Sequence, residues 1–340
     1  MASEMTRRQG TGRSLSVTIV NAASRDLLRE CLRVLEENPY TLGPMEIVVL
    51  DNASGDGSIA MLREEFPGVE VLEEDHRRGF GANQNRAVAQ STGELIFLLN
   101  PDATILPETI DALARSLDWA PDVVAAGGPV LTEAGTAIHT RPFPPRSLSG
   151  AFAGALGMSR GANRRPAADG VFRDGWLSGG AFLITRRAFE LLGGFDEAYF
   201  MYAEDTDLFT RLVDRGFAFS WVVEAGTVHP KPTESRAMSR RRAVEMVRGD
   251  SRYMQKHSGP AAAAAYRLAT ALDSTVRLAA LRTPWAARFV SLHDAGIDYN
   301  RFVYRSRIRA ALLPQSGAGI AELAQEWNDR AQGSGDRAPG

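Results

Sequence analysis

Short apolar runs alternate with longer amphipathic stretches from residue 15 onward. Leu15 to Asn21 is β-branched and alternating, Ser24 to Asn38 repeats its apolar positions at helical spacing, Glu46 to Leu50 is again strand-like and Gly57 to Phe66 again helix-like. Val69 to Leu72, a helix from about Ala82 to Gln90, and the run Glu94 to Asn100 extend the alternation. Such a pattern predicts an α/β fold with a mostly parallel central sheet covered by helices on both faces. The rhythm breaks between residues 132 and 175, where Pro142, Pro144, Pro145 and many Gly, Ala and Arg residues predict a long, partly mobile segment over the site. It resumes at Trp176 with the run Gly179 to Ile184, a short helix to Leu192, a turn through Gly193-Gly194-Phe195-Asp196, a helix opening at Glu204-Asp205, and a strand region from Ala218 to Val228.

The catalytic body is expected over residues 15–230. Before it, residues 1–14 are polar and basic and are expected to be disordered, with no apolar stretch of a signal peptide. Beyond it, a basic helical region is expected over 231–313, with helices at roughly 238–257, 260–282 and up to 313, then a helix and a flexible, Gly-rich tail over 314–340.

Within this frame three positions carry candidate chemistry. Asp102 follows a buried-strand pattern stopped by Pro101, so its carboxylate lies just past a strand end, where open α/β sheets build their sites. Glu204-Asp205 opens a helix, and His229 closes a strand region 24 residues after Asp205. One carboxylate and one imidazole can share a divalent cation and leave another carboxylate free as a base. Each also has a plainer explanation: acids are favoured in a first helical turn by the macrodipole, Asp207 and Arg211 form an i,i+4 pair, and a lone histidine is commonly a satisfied strand-end residue.

Composition changes the picture at two points. Cys31 is the single cysteine, so an internal disulfide and a cysteine-rich metal site are excluded, in keeping with a cytoplasmic protein. The net charge of −2 hides a split: residues 231 to 309 carry sixteen Lys or Arg against six Asp or Glu, leaving the remainder acidic. An acidic body with a basic appendage suits contact with phosphate or an anionic membrane surface, although a solvated helical face has the same composition. No nucleic-acid partner is expected.

Two loops complete the motif set. Asp51 to Ser58 (DNASGDGS) follows the second strand, where a carboxylate can accept a base N–H or ribose hydroxyl; taken alone it is an Asx-rich turn. Gly79-Phe80-Gly81-Ala82-Asn83 lacks the third glycine of a dinucleotide fingerprint and follows the third strand instead of the first. Together with Val17 to Asn21, Leu99-Asn100-Pro101-Asp102, Trp176 to Gly180, Gly193 to Glu197 and Glu204 to Leu208, these segments resemble the family-2 glycosyltransferases with the GT-A fold. The rhamnosyltransferase-like and galactofuranosyltransferase-like members are the most similar, over roughly residues 15 to 230.

That resemblance implies roles. Asn21, Asp51, Asn52, Gly79, Phe80, Gly81, Asn83 and Asn100 would form the nucleotide pocket, with Asp51 on the base. Asp102 would be the metal-binding acid of a DXD-type motif whose first position is Asn100, and His229 the second ligand, of Mn²⁺ or Mg²⁺. Asp205 would be the base of a single, inverting displacement, while Trp176, Gly179, Gly180 and Glu204 would meet sugar or acceptor. The donor would be a dTDP- or UDP-linked hexose. The acceptor would be a hydroxyl of a glycan, glycolipid or small molecule, in cell-surface polysaccharide or glycoconjugate assembly. The C-terminal helices, with Arg267, Arg277, Arg282 and Arg288 beside Leu268, Leu272, Leu278, Trp285 and Phe289, suggest peripheral attachment at the inner face of the plasma membrane, a dimer interface or a cover for the sheet edge. Ala22-Ala23 departs from the family, whose members commonly carry an aromatic residue and an asparagine there, and this puts base preference and donor binding in question. Competing readings are a sugar-phosphate nucleotidyltransferase, which should show a Gly-rich, Arg-containing loop after the first strand, and an inactive sugar-nucleotide or membrane-binding protein.

Overall fold

The computed structural model describes residues 12–155, 167–229, 236–282, 297–313 and 319–335. In chain order the first half holds β1 (Leu15–Asn21), α1 (Arg25–Glu37), β2 (Met45–Asp51), α2 (Ser58–Glu65), β3 (Glu70–Glu73), α3 (Phe80–Gln90), β4 (Leu95–Leu99), β5 (Thr104–Ile105), α4 (Thr109–Ser116), β6 (Val123–Gly127), β7 (Val130–Leu131), β8 (Ala137–His139) and α5 (Leu148–Ala155). The second half holds β9 (Gly170–Phe172), β10 (Ala181–Thr185), α6 (Arg186–Leu192), α7 (Glu204–Asp214), β11 (Ala218–Trp221), β12 (Thr227–Val228), and the helices α8 (Arg236–Ser258), α9 (Pro260–Ala280), α10 (Ile297–Leu312) and α11 (Ile320–Gly335).

The main sheet has eight strands in the order β3-β2-β1-β4-β10-β6-β11-β9. β1 pairs in parallel with β2 and β4, as does β2 with β3. β10 runs antiparallel to both β4 and β6, and β9 antiparallel to β11. The sheet is therefore mixed, its parallel character concentrated in the N-terminal half. β4 explains why the central strands read as unbroken apolar runs: Leu95, Phe97 and Leu99 face one helical layer, Ile96 and Leu98 the other, and all are completely buried. Each such side chain contributes roughly 1.5–3 kcal/mol of burial free energy.

Strand order reverses between β1 and β4, and Asn21, Asp51 and Asn100 lie at the neighbouring carboxyl ends of β1, β2 and β4. Open α/β sheets bind ligands at this switch point because the flanking helices diverge to opposite faces.

Several expectations are corrected. The strand region Ala218 to Val228 is two strands in two sheets, because the chain turns at Val222–Ala225, with Ala225 N–H donating to Val222 O. β12 joins a second, four-stranded sheet of order β5-β12-β7-β8. Where described, residues 132 to 175 carry β8, α5 and β9, so that part of the segment expected to be partly mobile holds regular elements; residues 156–166 lie outside the described residues. Gly12 to Ser14, expected to be disordered, are tied down: Gly12 N–H donates to Leu42 O and Tyr40 OH to Arg13 O. The last helix runs to Gly335, past Arg330, after which a polar, Gly-rich tail is expected from the sequence. Trp285, Arg288 and Phe289 lie outside the described residues.

The C-terminal helices pack on the catalytic body. Asp207, on α7 and fully buried, receives Arg211 Nε at 2.8 Å, Lys256 Nζ at 2.7 Å and His257 Nε2 at 2.8 Å. The expected i,i+4 pair is thus one arm of a joint that fastens α8 to α7. At the other end α11 returns to the loop before α3, where Asn328 accepts from Arg77 N–H at 2.7 Å and donates to Arg77 O at 3.1 Å.

Candidate active site

Backbone fit assembles the site first. Gly180 O accepts from Asn100 N–H at 2.9 Å, the continuation of the β4–β10 ladder past Leu99 and Ala181. Gly179 and Gly180 lie in van der Waals contact with the other motifs: a Cβ on Gly179 would be 3.4 Å from Asp205 Cβ, and one on Gly180 3.5 Å from Asn100 Nδ2. A Cβ on Gly79 would lie 2.6 Å from Phe200 O, which accepts from Phe80 N–H at 2.8 Å. The expected nucleotide turn and the loop leading into α7 are therefore locked together.

That loop is strained. Tyr202 and Ala203 have φ of 68° and 70°, a left-handed conformation costing about 1–2 kcal/mol per non-glycine residue. α8 braces it through Gly249, where any Cβ would come within 2.3 Å of Tyr202 O. The reversal at Ala203 starts α7 abruptly and presents Glu204 and Asp205 at its N-terminal end.

The second sheet sets the other pair. Val228 stands opposite Thr104, so Asp102, two residues before Thr104, and His229, one after Val228, meet with Oδ1 and Nε2 3.2 Å apart. His229 N–H is fixed on Leu131 O at 2.8 Å. Asn100, Asp102, Gly179, Gly180, Glu204, Asp205, Phe80 and His229 all line one cavity of about 470 Å³. Three motifs far apart in sequence thus share one space.

The acids differ in environment. Asp205 Oδ2 accepts from Gly179 N–H at 2.9 Å and Oδ1 from Thr206 N–H at 2.6 Å. Burial raises its pKa above the ordinary aspartate value, and these hydrogen bonds and Arg146 partly offset the rise. Glu204 is pushed up to about 8, by burial first and the neighbouring Asp205 charge second, and its Oε2 has no hydrogen-bond partner. Burial and the neighbouring charge thus favour a proton on Glu204, and desolvation makes Asp205 more basic than an ordinary aspartate. Arg146, paired with Asp250 and 3.2 Å from Thr206 Oγ1, supplies the nearby positive charge.

The rest of the expected nucleotide set lies at the carboxyl ends of β1 and β2 and at the start of α3. Asn21 is buried and donates to Asp51 Oδ2 at 2.9 Å and to Ser58 Oγ at 2.9 Å, while Asp51 Oδ1 accepts from Ser54 N–H at 2.9 Å. Asp51 is 1% exposed, its carboxylate turned toward its own loop. Asn52 clamps Arg78, accepting from its N–H at 2.9 Å and donating to its carbonyl at 3.1 Å. A Cβ on Gly81 would lie 2.9 Å from Phe195 Cβ, and Asn83 is buried with Oδ1 unpartnered. α11 closes this end: Arg77 lies 3.9 Å over the Trp327 ring, and Gly55 lies against Trp327. Trp176 is not among the cavity's lining residues; it stacks on Phe143 with centroids 4.2 Å apart and Arg146 5.2 Å from its ring.

Residues 14–190, just over half of the chain, match the family described as glycosyl transferase family 2. The chain belongs to that family. This glycosyltransferase is 31% identical over 210 residues to the N-acetylglucosaminyl-diphospho-decaprenol L-rhamnosyltransferase of Mycobacterium tuberculosis, spanning 55% of this chain and 67% of that protein. It is 27% identical over 226 residues to the O-antigen biosynthesis protein RfbC of Myxococcus xanthus, covering 62% of this chain but 17% of that one. Among solved structures it superposes on the mannosyltransferase PcManGT from Pyrobaculum calidifontis, in complex with GDP-Man and Mn²⁺, with a TM-score of 0.55 at 20% identity over 89% of this chain and 88% of that one. The fold is GT-A, and the rhamnosyltransferase-like resemblance holds.

Among the lining residues of this glycosyltransferase not singled out in its sequence are His139, Met201, Tyr202 and Arg242. His139, whose pKa is lowered by burial and then by His229, sits on a three-residue strand too short to show periodicity. Arg242 comes from α8, and only the packing of α8 against the 199–203 loop carries it there. Of the described residues, the one tight trio of possible metal ligands is Glu74, Asp75 and His76, outside the cavity, where Glu74 is already paired with Arg78 and Arg86.

Proposed function

We propose that this glycosyltransferase moves a rhamnose-like hexose, with inversion, from a dTDP- or UDP-linked donor to a hydroxyl of a polyprenyl-diphosphate-linked sugar, in cell-surface polysaccharide assembly. The observation that carries the reading is the meeting of Asp205, held by Gly179, with the Asp102–His229 pair in one cavity. The acceptor class is supported by the mycobacterial relative, whose name specifies a sugar on decaprenyl diphosphate.

Asp205 acts as general base. Its Oδ2 faces the backbone turn that brings substrate close, and desolvation strengthens it as a proton acceptor. Attack from the face opposite the departing diphosphate inverts the anomeric centre in one displacement. Protonated Glu204 can donate a hydrogen bond from its unpartnered side and so orient the acceptor. Asp102 and His229, which bring an oxygen and an imidazole nitrogen 3.2 Å apart, would hold the ion, a donor set suited to Mn²⁺ or Mg²⁺. When bound, that ion would neutralise the charge developing on the nucleoside diphosphate. Asn21, Asp51 and Asn52 shape the nucleotide turn, and Phe80 and Asn100 line its passage into the cavity.

The test is transfer from candidate nucleotide sugars, with and without Mn²⁺, to a short-chain polyprenyl-diphosphate N-acetylglucosamine. The product's anomeric configuration is read by NMR. Metal-stimulated, inverted product is expected. Donor binding without turnover would instead make the protein a sugar-nucleotide binder, and triphosphate consumption with diphosphate release a nucleotidyltransferase.

A further inference from the structure

A second cavity, of about 820 Å³, opens on the other side of the strained loop, between residues 196–201 and helices α8 and α9. Arg248, Arg252, Lys256 and Arg267 line it, against Asp196 and Glu245. Two of the four cations are neutralised in place: Lys256 sits 2.7 Å from both Asp196 and Asp207, and Arg248 2.8 Å from Glu322. The other two are not. Arg252 is exposed with its guanidinium 5.9 Å over the Tyr199 ring, Arg267 donates to Ser251 Oγ at 3.0 Å, and neither has a carboxylate partner among the described residues. Two uncompensated guanidiniums facing one cavity match the two phosphates of a diphosphate, to which arginine binds through paired N–H groups.

What borders the cations selects the kind of diphosphate. Arg267 lies on α9, whose exposed residues Ala261, Ala264, Leu268, Leu272, Thr275, Val276 and Ala279 include no charge. Leu268, Leu272 and Val276 form an i,i+4 row, 62%, 49% and 51% exposed. An uncharged ridge about 30 Å long, directly beside a cationic cavity, fits an amphiphile and not a free ion. No helix among the described residues is long and apolar enough to cross a membrane. Met201 lines both cavities.

We infer that the cavity of Arg252 and Arg267 binds the diphosphate of the lipid-linked acceptor, with the first isoprenoid units along the Leu268–Val276 ridge. This rests on the transferase reading above and adds where the acceptor sits. A sugar attached through its diphosphate would then extend past Met201, and its free hydroxyl would reach Asp205.

Calorimetric titration of the full chain with farnesyl diphosphate in EDTA, without donor, tests the inference. Binding by the wild type is expected, about tenfold or more weaker in the Arg252→Gln, Arg267→Gln double variant and only partly restored in the double Lys variant, which keeps the charge without the paired N–H groups. Equal binding by the Gln variant, or none by the wild type, would overturn it. So would pyrophosphate binding as tightly as farnesyl diphosphate, which means a soluble-phosphate site, or displacement by phosphatidylglycerol vesicles, which means a lipid-headgroup site. Donor turnover is measured separately, so failure of transfer with these binding results intact would reject the activity and not the diphosphate site.

Discussion

The two cavities that meet at Met201 are made differently. The first is walled by strand ends and glycine turns: Asp102, Gly179, Gly180 and His229 are placed by ladder register, and Asp205 is held by a backbone N–H. The second is walled by helices, and its charges sit on long side chains that pivot from α8 and α9. Short side chains on fixed backbone suit a step in which a proton and an anomeric carbon must be aligned closely. Long cations on helices suit holding a charge whose exact position matters less.

The sharpest way to break this comparison is at Asp205. Asp205→Asn keeps the side-chain shape and removes the proposed base, so transfer should fall by about 10²–10⁴-fold with donor binding nearly intact; single-turnover assays with parallel donor titration check it. Comparable transfer by the variant would remove Asp205 from that role. Two residues on, Asp207 is expected to behave oppositely. Asp207→Ala strands Arg211, Lys256 and His257 in a buried joint and should cost roughly 3–5 kcal/mol of stability in urea unfolding, loosening both cavities together. A variant of wild-type stability would show that α8 is held elsewhere.

His229→Ala should lower metal-dependent donor affinity by about 10–100-fold and leave farnesyl diphosphate binding alone, which separates the two cavities by ligand. Glu204 gives a pH signature. Its folded pKa of about 8 lies above the usual value of 4.5, so the folded state binds the proton more tightly; that contribution is full below about pH 4.5 and is lost as pH rises to about 8. Wild-type stability should therefore decline across that window, by up to roughly 1 kcal/mol per pH unit, relative to Glu204→Gln, and parallel stability curves would reject the assignment. The smallest effect is expected at α11: Trp327→Ala removes the ring under Arg77, about 1 kcal/mol, and should raise the donor KM while kcat holds. An unchanged KM would make α11 a purely structural cap.

The same contrast explains what could be read from the chain. Asp102, Asp205 and His229 were visible because each stands at the boundary of a periodic segment, and a strand end or first helical turn is a local property. Asn21 and Asp51 were also visible, but not that they would bond to each other and be buried, since that depends on the β1–β2 register. Nothing in the sequence showed that Trp176 would stack on Phe143, 33 positions earlier. His139 and Arg242 gave no signal, because a three-residue strand and a general helical basic run look like many others.

The sequence by itself determined the alternation that makes an α/β sheet, the carboxylates past its strand ends and the charge split between body and appendage. These follow from side-chain polarity at a fixed period along the chain. Tertiary structure decided the antiparallel placement of β10, the meeting of Asp102 with His229, the docking of Asn328 on Arg77 and the pairing of an acidic cavity with a basic one across Met201. Each of these joins segments whose own patterns are indifferent to one another, so only the packing of the whole chain fixes which neighbours they find.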